Sequence, residues 1–148
     1  MKLRTGEPWM SGKAYGQSLR GLTVNLLVSD INTALAFQRD VLGVSSVYSD
    51  PDFAVCSGFG SEWMLHADHT YEKHPMGNRA ALAHPRGAGI ELRLHGCDPD
   101  QAEAAARRLG FEVLSPARNK GHGLREAHIL DQDGYVWVPD IAVDTDDE

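Results

Sequence analysis

The sequence predicts an α+β fold made of two tandem βαβββ modules, because the chain carries one pattern twice. Each copy reads as a strand, an acidic helix cap, an Ala/Leu-rich helix, a glycine that ends the helix, and further strands. The two glycines, Gly43 and Gly110, lie 67 residues apart. A duplication of this size indicates two similar modules in one fold, with any functional pocket shaped by both.

The first module begins with a predicted strand over Leu22–Val28. Asp30 or Asn32 caps the following helix, since short acidic and amide side chains accept hydrogen bonds from the free amides of a first turn. The helix runs through Leu42, and Gly43 ends it by supplying a positive φ. Three short strands follow, separated by turn-rich stretches: residues 44–48, 53–57 and 63–66.

The second module repeats this plan with clearer helix signals. Asp98 is an acidic cap, Pro99 occupies the first helical position, and Gln101 fits a capping box. The helix continues to Leu109, and Gly110 ends it. An Asp-Gly signal within residues 131–134 indicates a hairpin turn between the last two strands. The predicted strands after the helix are residues 111–114, 124–130 and 135–138.

These elements define the domain organisation. Residues 1–20 mix Gly, Pro, Ser and charge without a period, and we expect a mobile or loosely docked N-terminal arm. One domain covers residues 21–143 and an acidic tail covers residues 144–148. Within the domain, module one is residues 21–66, a connector without either periodicity is residues 67–88, and module two is residues 89–143.

Composition excludes several classes of function. The 148 residues are 42% hydrophobic and 24% charged, as in an ordinary single globular domain. No apolar run is long enough to cross a bilayer or to act as a secretory signal, so we expect a cytoplasmic protein without membrane partners. A net charge of −7 without a basic stripe argues against nucleic-acid binding.

Cys56 and Cys97 are expected to be reduced thiols, with Cys97 the more reactive because a helix begins after it.

Several motifs together resemble the vicinal oxygen chelate superfamily, which includes glyoxalase I, bleomycin-resistance proteins and extradiol dioxygenases. The resemblance rests on the order, spacing and duplication of the motifs, and covers about residues 21–143. It implies eight strands curled into an incomplete barrel, a cup with helices packed outside, and a homodimer. The motifs are Val28-Ser29-Asp30, Ala36-Phe37, Asp40-Val41-Leu42-Gly43, Gly123-Leu124-Arg125-Glu126 and Asp131-Gln132-Asp133-Gly134-Tyr135.

In metalloenzymes of that superfamily, a metal is held from the first and last strand of each module. The matching positions here are Thr23, Met64, Glu91 and Val138. Only Glu91 is a good ligand, so the resemblance implies that the usual metal site is lost, and no cofactor is favoured. A shift of two residues keeps each side chain on the same strand face. The shifted alternative for a Zn, Ni, Mn or Fe ion is Asn25, His66, Glu91 and Asp140.

The same alignment gives a candidate ligand pocket: Thr23, Asn25, Met64, His66, Glu91, Arg93 and Val138. Within it, Glu91 and Arg93 either pair with each other or bind a polar ligand group, because a buried charge needs a partner. His128 and Glu91 are candidate proton-transfer residues, the alternative for His128 being a structural role. The histidines at 66, 69 and 74 look like a cluster, but they lie at a strand end and in a loop, so we expect solvated loop histidines rather than a metal site.

Three functions stay open at this point. The missing metal ligands favour a binding protein that holds a small organic ligand in the cup, an aromatic ligand being one option. The second is a metal-dependent lyase, isomerase or dioxygenase, in which a metal polarises vicinal oxygens. The third is a metal-free enzyme that uses His128 or Glu91 for proton transfer.

Overall fold

The structure is a computed structural model that describes residues 1–144. The chain forms two compact units, each with its own four-stranded mixed sheet. The first unit contains residues 1–35 and 45–83, and the second contains residues 36–44 together with the chain from residue 84 onward. The predicted tail lies outside the described residues except for residue 144.

The sheet of the first unit has four strands: β1 (Asn25–Val28), β2 (Ser45–Ser49), β3 (Phe53–Gly58) and β4 (Ser61–Ala67). Their spatial order is β1-β4-β3-β2. Strand β1 is parallel to β4, while the other neighbours are antiparallel. Residues 22–24 were predicted to be part of the first strand and precede it here.

The sheet of the second unit repeats this arrangement with β5 (Glu91–His95), β6 (Val113–Asn119), β7 (Leu124–Leu130) and β8 (Val136–Ala142). The order is β5-β8-β7-β6, with β5 parallel to β8. The two sheets therefore repeat one strand order, and the α+β class with two βαβββ modules is confirmed.

Helix α2 (Ile31–Asp40) follows β1 and begins at the predicted cap. The Asp30 carboxylate accepts a hydrogen bond from the Thr33 amide at 2.8 Å, which satisfies a free donor of the first turn. Three apolar side chains along the helix are buried, Ile31, Ala34 and Phe37. Their spacing of three residues is typical of one buried helix face.

Helix α4 (Pro99–Leu109) occupies the equivalent position in the second module. The Asp98 carboxylate accepts hydrogen bonds from the Asp100 and Gln101 amides, as the capping signal predicts. Gly110 ends the helix with a φ of 85°, in the left-handed region where a Cβ is costly. The predicted bounds of this helix are therefore confirmed.

Two segments that were predicted to lack regular structure contain short helices. The N-terminal arm holds α1 (Gly12–Ser18), and the connector holds a 3-10 helix (Asp68–Tyr71) and α3 (Pro75–Leu82). Each spans eight residues or fewer, too short for a 3.6-residue period to stand out in the sequence. Among the described residues, no helix is long and apolar enough to span a membrane.

Buried and half-buried side chains alternate along β4, and the half-buried ones are available to a ligand. Trp63, Leu65 and Ala67 are buried, whereas Met64 and His66 on the opposite face are half-buried. Because successive strand residues point to opposite faces, Met64 and His66 share one side of the sheet. That side is where the N-terminal arm lies.

Candidate functional site

The first unit contains a cavity of about 280 Å³, lined by both the N-terminal arm and the sheet. This is slightly below the usual range for small-molecule pockets, which begins at about 300 Å³. The arm was expected to be mobile or loosely docked, but it forms part of the cavity wall. The main lining residues are Lys2, Arg4, Trp9, Met10 and Tyr15 from the arm and Asp50, Phe53, Met64 and His66 from the sheet and its turn.

Aromatic rings form one side of this cavity. Trp9 lines the cavity and stacks on Tyr48, which is not part of the lining, with ring centroids 4.4 Å apart and an interplanar angle of 17°. Tyr15 meets Phe53 edge to face at 5.8 Å, and Phe53 lies 4.7 Å from the His66 ring. Such rings provide large apolar contact area with few rotatable bonds. The cavity wall is therefore suited to a flat apolar group.

His66 is held in the cavity by a short chain of polar side chains. The Asn25 amide donates to the Tyr71 hydroxyl at 3.0 Å, which directs the Asn25 oxygen toward Nδ1 of His66. Burial lowers the pKa of His66 to about 4, and the nearby Lys2 ammonium acts in the same direction. His66 is therefore neutral at pH 7 and donates its Nδ1 proton to Asn25.

A buried carboxylate fixes the start of the arm. Asp52 accepts hydrogen bonds from the Leu3 amide at 2.7 Å and the Arg4 amide at 3.1 Å. Nε2 of His69 donates to the same carboxylate at 2.7 Å. His69, expected to be a solvated loop residue, is thus part of the structure that docks the arm, and His74 caps α3 through Nδ1. The expectation of a solvated side chain is therefore wrong for His69, whereas His74 is exposed.

The second unit contains a separate charged cluster around Arg93 on β5. The guanidinium contacts three carboxylates: Glu91 at 3.2 Å, Glu126, and Asp140 at 3.4 Å. Glu126 is 5% exposed and Asp140 is 1% exposed. Carboxylates this deeply buried need a cation and hydrogen bonds to offset lost hydration, and Arg93 supplies both.

A histidine lies beside each of the three carboxylates. His128 contacts Glu91 at 2.5 Å, and His95 contacts Asp140 at 2.8 Å. His122 lies 3.4 Å from Glu126. The two residues that the sequence nominated for proton transfer, Glu91 and His128, are therefore direct hydrogen-bond partners.

The cluster also determines the charge state of its members. The hydrogen bond from His128 lowers the pKa of Glu91 despite some opposing burial, and Arg93 adds to the effect. Burial lowers the pKa of Arg93, but its hydrogen bonds to Glu126 and Glu91 outweigh this and raise the pKa overall. Glu91 is therefore ionised at neutral pH and accepts hydrogen bonds from His128 and Arg93.

The predicted pocket residues divide between the two units. Met64 and His66 line the cavity, and Asn25 positions His66. Thr23 lines a smaller neighbouring cavity of about 230 Å³. In the second unit, Glu91 and Arg93 belong to the charged cluster, and Val138 is fully buried beside Arg93 in the strand ladder.

Sequence reasoning missed residues that reach these sites from distant chain segments. No sequence pattern predicts a site role for His95 or His122, and Glu126 occurs only within a motif of the superfamily resemblance. Asp52 and the arm residues Lys2 and Arg4 were not nominated either. A buried acid such as Asp52 could have been found from its position directly before an apolar strand, but its partners depend on how the arm docks.

The residues at the expected metal positions do not fit a metal ion. Three of the four, Thr23, Met64 and Val138, supply no suitable donor. In the shifted set, Asn25 and His66 bond to each other, and Asp140 bonds to Arg93 and His95. Among residues 1–144, no three His, Cys, Asp or Glu side chains converge to hold a metal.

The cysteines take no part in either site. Both are free and buried. Burial raises the pKa of Cys56 to about 12, and burial with the nearby Asp98 and Asp140 raises the pKa of Cys97 to about 12. The expected reactivity of Cys97 is therefore wrong, because loss of hydration outweighs its place before a helix.

The fold defines an α+β protein of two βαβββ modules, each with a four-stranded mixed sheet. A family model for the Glyoxalase/Bleomycin resistance protein/Dioxygenase superfamily matches residues 22–138. The chain belongs to this superfamily, which confirms the resemblance seen in the sequence.

Solved structures support the same fold. A glyoxalase/bleomycin resistance protein/dioxygenase family enzyme from Burkholderia phytofirmans is 19% identical, covering 82% of this chain and 97% of its own, with a TM-score of 0.65. A glyoxalase/bleomycin resistance protein/dioxygenase from Nocardioides is 21% identical, with coverages of 91% and 95% and a TM-score of 0.61. TioX from a Micromonospora species is 17% identical, with coverages of 85% and 98% and a TM-score of 0.61. No curated protein matches the chain.

Proposed function

We propose that this protein binds a small organic ligand with a planar aromatic group in the cavity of the first unit, without a metal ion. The observation that carries the proposal is the aromatic wall formed by Trp9, Tyr15 and Phe53, all of which line the cavity and contact one another. Stacking on such a wall stabilises a flat ligand, while His66 offers a neutral polar group that fixes its orientation. The family description, which includes bleomycin resistance proteins, is in keeping with a binding role.

The donor chemistry supports binding without a metal. Glu91 and Asp140, the two carboxylates named for a metal, already contact the positive charge of Arg93. A divalent cation placed among them would have to replace that contact and would be repelled by the guanidinium. Metal analysis of protein purified without a histidine tag tests this point, and stoichiometric Zn, Ni, Mn or Fe would contradict it.

Quenching of Trp9 fluorescence by a panel of aromatic compounds tests the binding function. We expect saturable quenching, with the compound recovered unchanged. The variant Trp9→Phe should lose the ligand-induced quenching, while its phenyl ring keeps an aromatic group in the wall. Calorimetry on that variant should still detect binding. If calorimetry detects no binding of any aromatic compound to the wild-type protein, the proposal fails.

A second candidate function is proton transfer by the pair formed by Glu91 and His128. The observation that favours it is their direct hydrogen bond, with Glu91 46% and His128 23% exposed, so that the pair is open to solvent. An ionised carboxylate beside an imidazole is a common arrangement for removing a proton from a bound molecule.

Deuterium exchange tests this second function. A carbonyl compound with an acidic C–H group is incubated with the protein in D2O and followed by NMR. Exchange that disappears in His128→Gln and persists in His122→Gln would support it. Equal exchange in all three proteins, or none in the wild type, would contradict it.

We also propose that the protein is a homodimer, as the superfamily resemblance implies. Sedimentation at micromolar concentration tests this, and a monomer there would contradict it.

A further inference from the structure

We infer that the cavity of the first unit selects an aromatic acid, a flat ring system that carries one carboxylate, and that the N-terminal arm supplies the positive charge that binds it. This inference rests on the proposed function, because it names the class of ligand for the same cavity. The aromatic wall favours a flat ring but does not determine the charge of the ligand. The charged side chains that line the cavity do.

Two cationic side chains line the cavity, Lys2 and Arg4. Within residues 1–144, neither the Lys2 ammonium nor the Arg4 guanidinium forms a salt bridge or a side-chain hydrogen bond. Cations at the edge of a partly apolar cavity attract an anion more strongly than they would in open water, because the local dielectric constant is lower. They are therefore available to a ligand.

The anionic residue of the cavity lining is already engaged with its own neighbours. Asp50 accepts hydrogen bonds from the Tyr48 hydroxyl at 2.6 Å and from the Asp52 and Phe53 amides at 2.8 and 2.9 Å. These donors direct the Asp50 oxygens into the turn. Since the lowered pKa keeps His66 neutral at pH 7, the net charge of the lining is positive.

The backbone that carries the two cations is fixed in place. The Leu3 and Arg4 amides bind the buried Asp52 carboxylate, and Trp9 then stacks on Tyr48. Anchoring of the arm at both of these points limits the loss of backbone freedom when a ligand binds. The arm therefore acts as a preorganised part of the site, with its cations at one end and its aromatic ring at the other.

The charge and the ring together identify the ligand class. A carboxylate forms charge-assisted hydrogen bonds with Lys and Arg, about twice as strong as those of a neutral group. At partly exposed sites, two such contacts correspond to about a tenfold preference for an acid over its uncharged amide. An aromatic amine should be disfavoured further by repulsion from the same cations.

Calorimetry with three matched compounds tests the inference on the full chain without an N-terminal tag. The compounds are 2-naphthoate, 2-naphthamide and 2-naphthylmethylamine at pH 7. We expect the acid to bind about tenfold more tightly than the amide, with the amine weakest. The preference for the acid should decrease at high salt, because screening weakens exposed charge pairs.

Charge-removing variants locate the effect. Lys2→Gln combined with Arg4→Gln should bring the affinities for acid and amide together, since the backbone amides that anchor the arm are unchanged. Lys13→Gln, on the same arm but outside the cavity lining, is the control and should keep the preference.

The possible outcomes separate this inference from the proposed function. If the amide or the amine binds as tightly as the acid, the inference is overturned while the proposed binding function stands. An acid preference that survives in the double variant also overturns it, because the arm would not be its source. Absence of binding by all three compounds removes the proposed function as well.

Discussion

Replacing Asp52 with asparagine should release the N-terminal arm from the first unit. The Asp52 side chain is 0% exposed and accepts hydrogen bonds from two arm amides and from His69. Asparagine keeps one acceptor oxygen, whereas its NH2 group donates hydrogen bonds and accepts none. At least one of the three donors therefore loses its partner, and the arm loses part of its attachment.

The pKa of Asp52 gives the size of the effect. Burial on its own raises this pKa, but the hydrogen bonds from His69, Leu3 and Arg4 outweigh burial and lower the pKa to about 2 from 3.8. One pKa unit corresponds to about 1.4 kcal/mol, so the ionised carboxylate stabilises the folded state by about 2 kcal/mol at neutral pH. A loss of that size lowers the melting temperature by about 4–8 °C in a chain of this length.

The pH dependence follows from the direction of the shift. Because the folded pKa lies below the unfolded value, the stabilisation is complete above about pH 4 and is lost as the pH falls through about 2. Asparagine does not titrate. The difference in melting temperature between the wild type and Asp52→Asn should therefore be largest near neutral pH and should shrink toward pH 2.

Thermal denaturation and limited trypsin digestion measure the two consequences. Opening of the arm should speed cleavage after Lys13 and Arg20 by up to about 30-fold, the factor that corresponds to about 2 kcal/mol. Glu7→Gln, which removes an exposed acid from the same arm, is the control. A melting temperature within about 1 °C of the wild type, together with unchanged cleavage, would refute the reasoning.

Two further predictions concern the second unit. Phe37→Ala removes a fully buried ring that packs against Phe111 at 5.0 Å and Trp137 at 6.4 Å, and should lower the free energy of unfolding by about 3–5 kcal/mol in urea denaturation. Gly134→Ala places a Cβ against the Pro85 side chain, 2.8 Å from its Cα, at a φ of 88°. It should cost at least about 2 kcal/mol in the same measurement, since both the clash and the left-handed φ oppose it.

Matched variants test the causes assigned to these losses. Phe59→Ala, at a ring that is 44% exposed, should cost much less than Phe37→Ala. Gly123→Ala has a φ of 84° but open space around the new Cβ, so it should show the backbone cost without the clash. Equal losses for Gly123→Ala and Gly134→Ala would contradict the role assigned to Pro85.

Much of the fold was predictable because its signals are local in the sequence. The caps at Asp30 and Asp98 and the glycines at 43 and 110 act within a few residues, so each module could be read directly. The helices of the arm and the connector were missed because they are short, and their caps are a serine and a histidine in stretches without a hydrophobic period.

The candidate sites were only partly predictable. Glu91 and His128 could be nominated from their strand positions, but their pairing joins residues 37 apart in sequence. The pairing follows from the register in which β5 and β7 both align with β8. Backbone hydrogen bonds between distant segments set that register, and no local sequence pattern shows it. The same holds for Arg93 and Asp140, which β5 and β8 bring together.

The sequence by itself determined the duplicated α+β architecture, which follows from local periodicity. It also showed that three of the four positions that the superfamily resemblance marks for metal ligands, Thr23, Met64 and Val138, carry no suitable donor. The tertiary structure decided where the N-terminal arm lies and therefore what the cavity contains. Lys2, Arg4 and Trp9 reach the sheet because Asp52, which lies 48 residues beyond Arg4, binds the arm backbone. The free-energy cost of burying the Asp52 carboxylate is offset by all the donors that surround it, and these come from distant parts of the chain. Which donors meet therefore depends on how the whole unit packs.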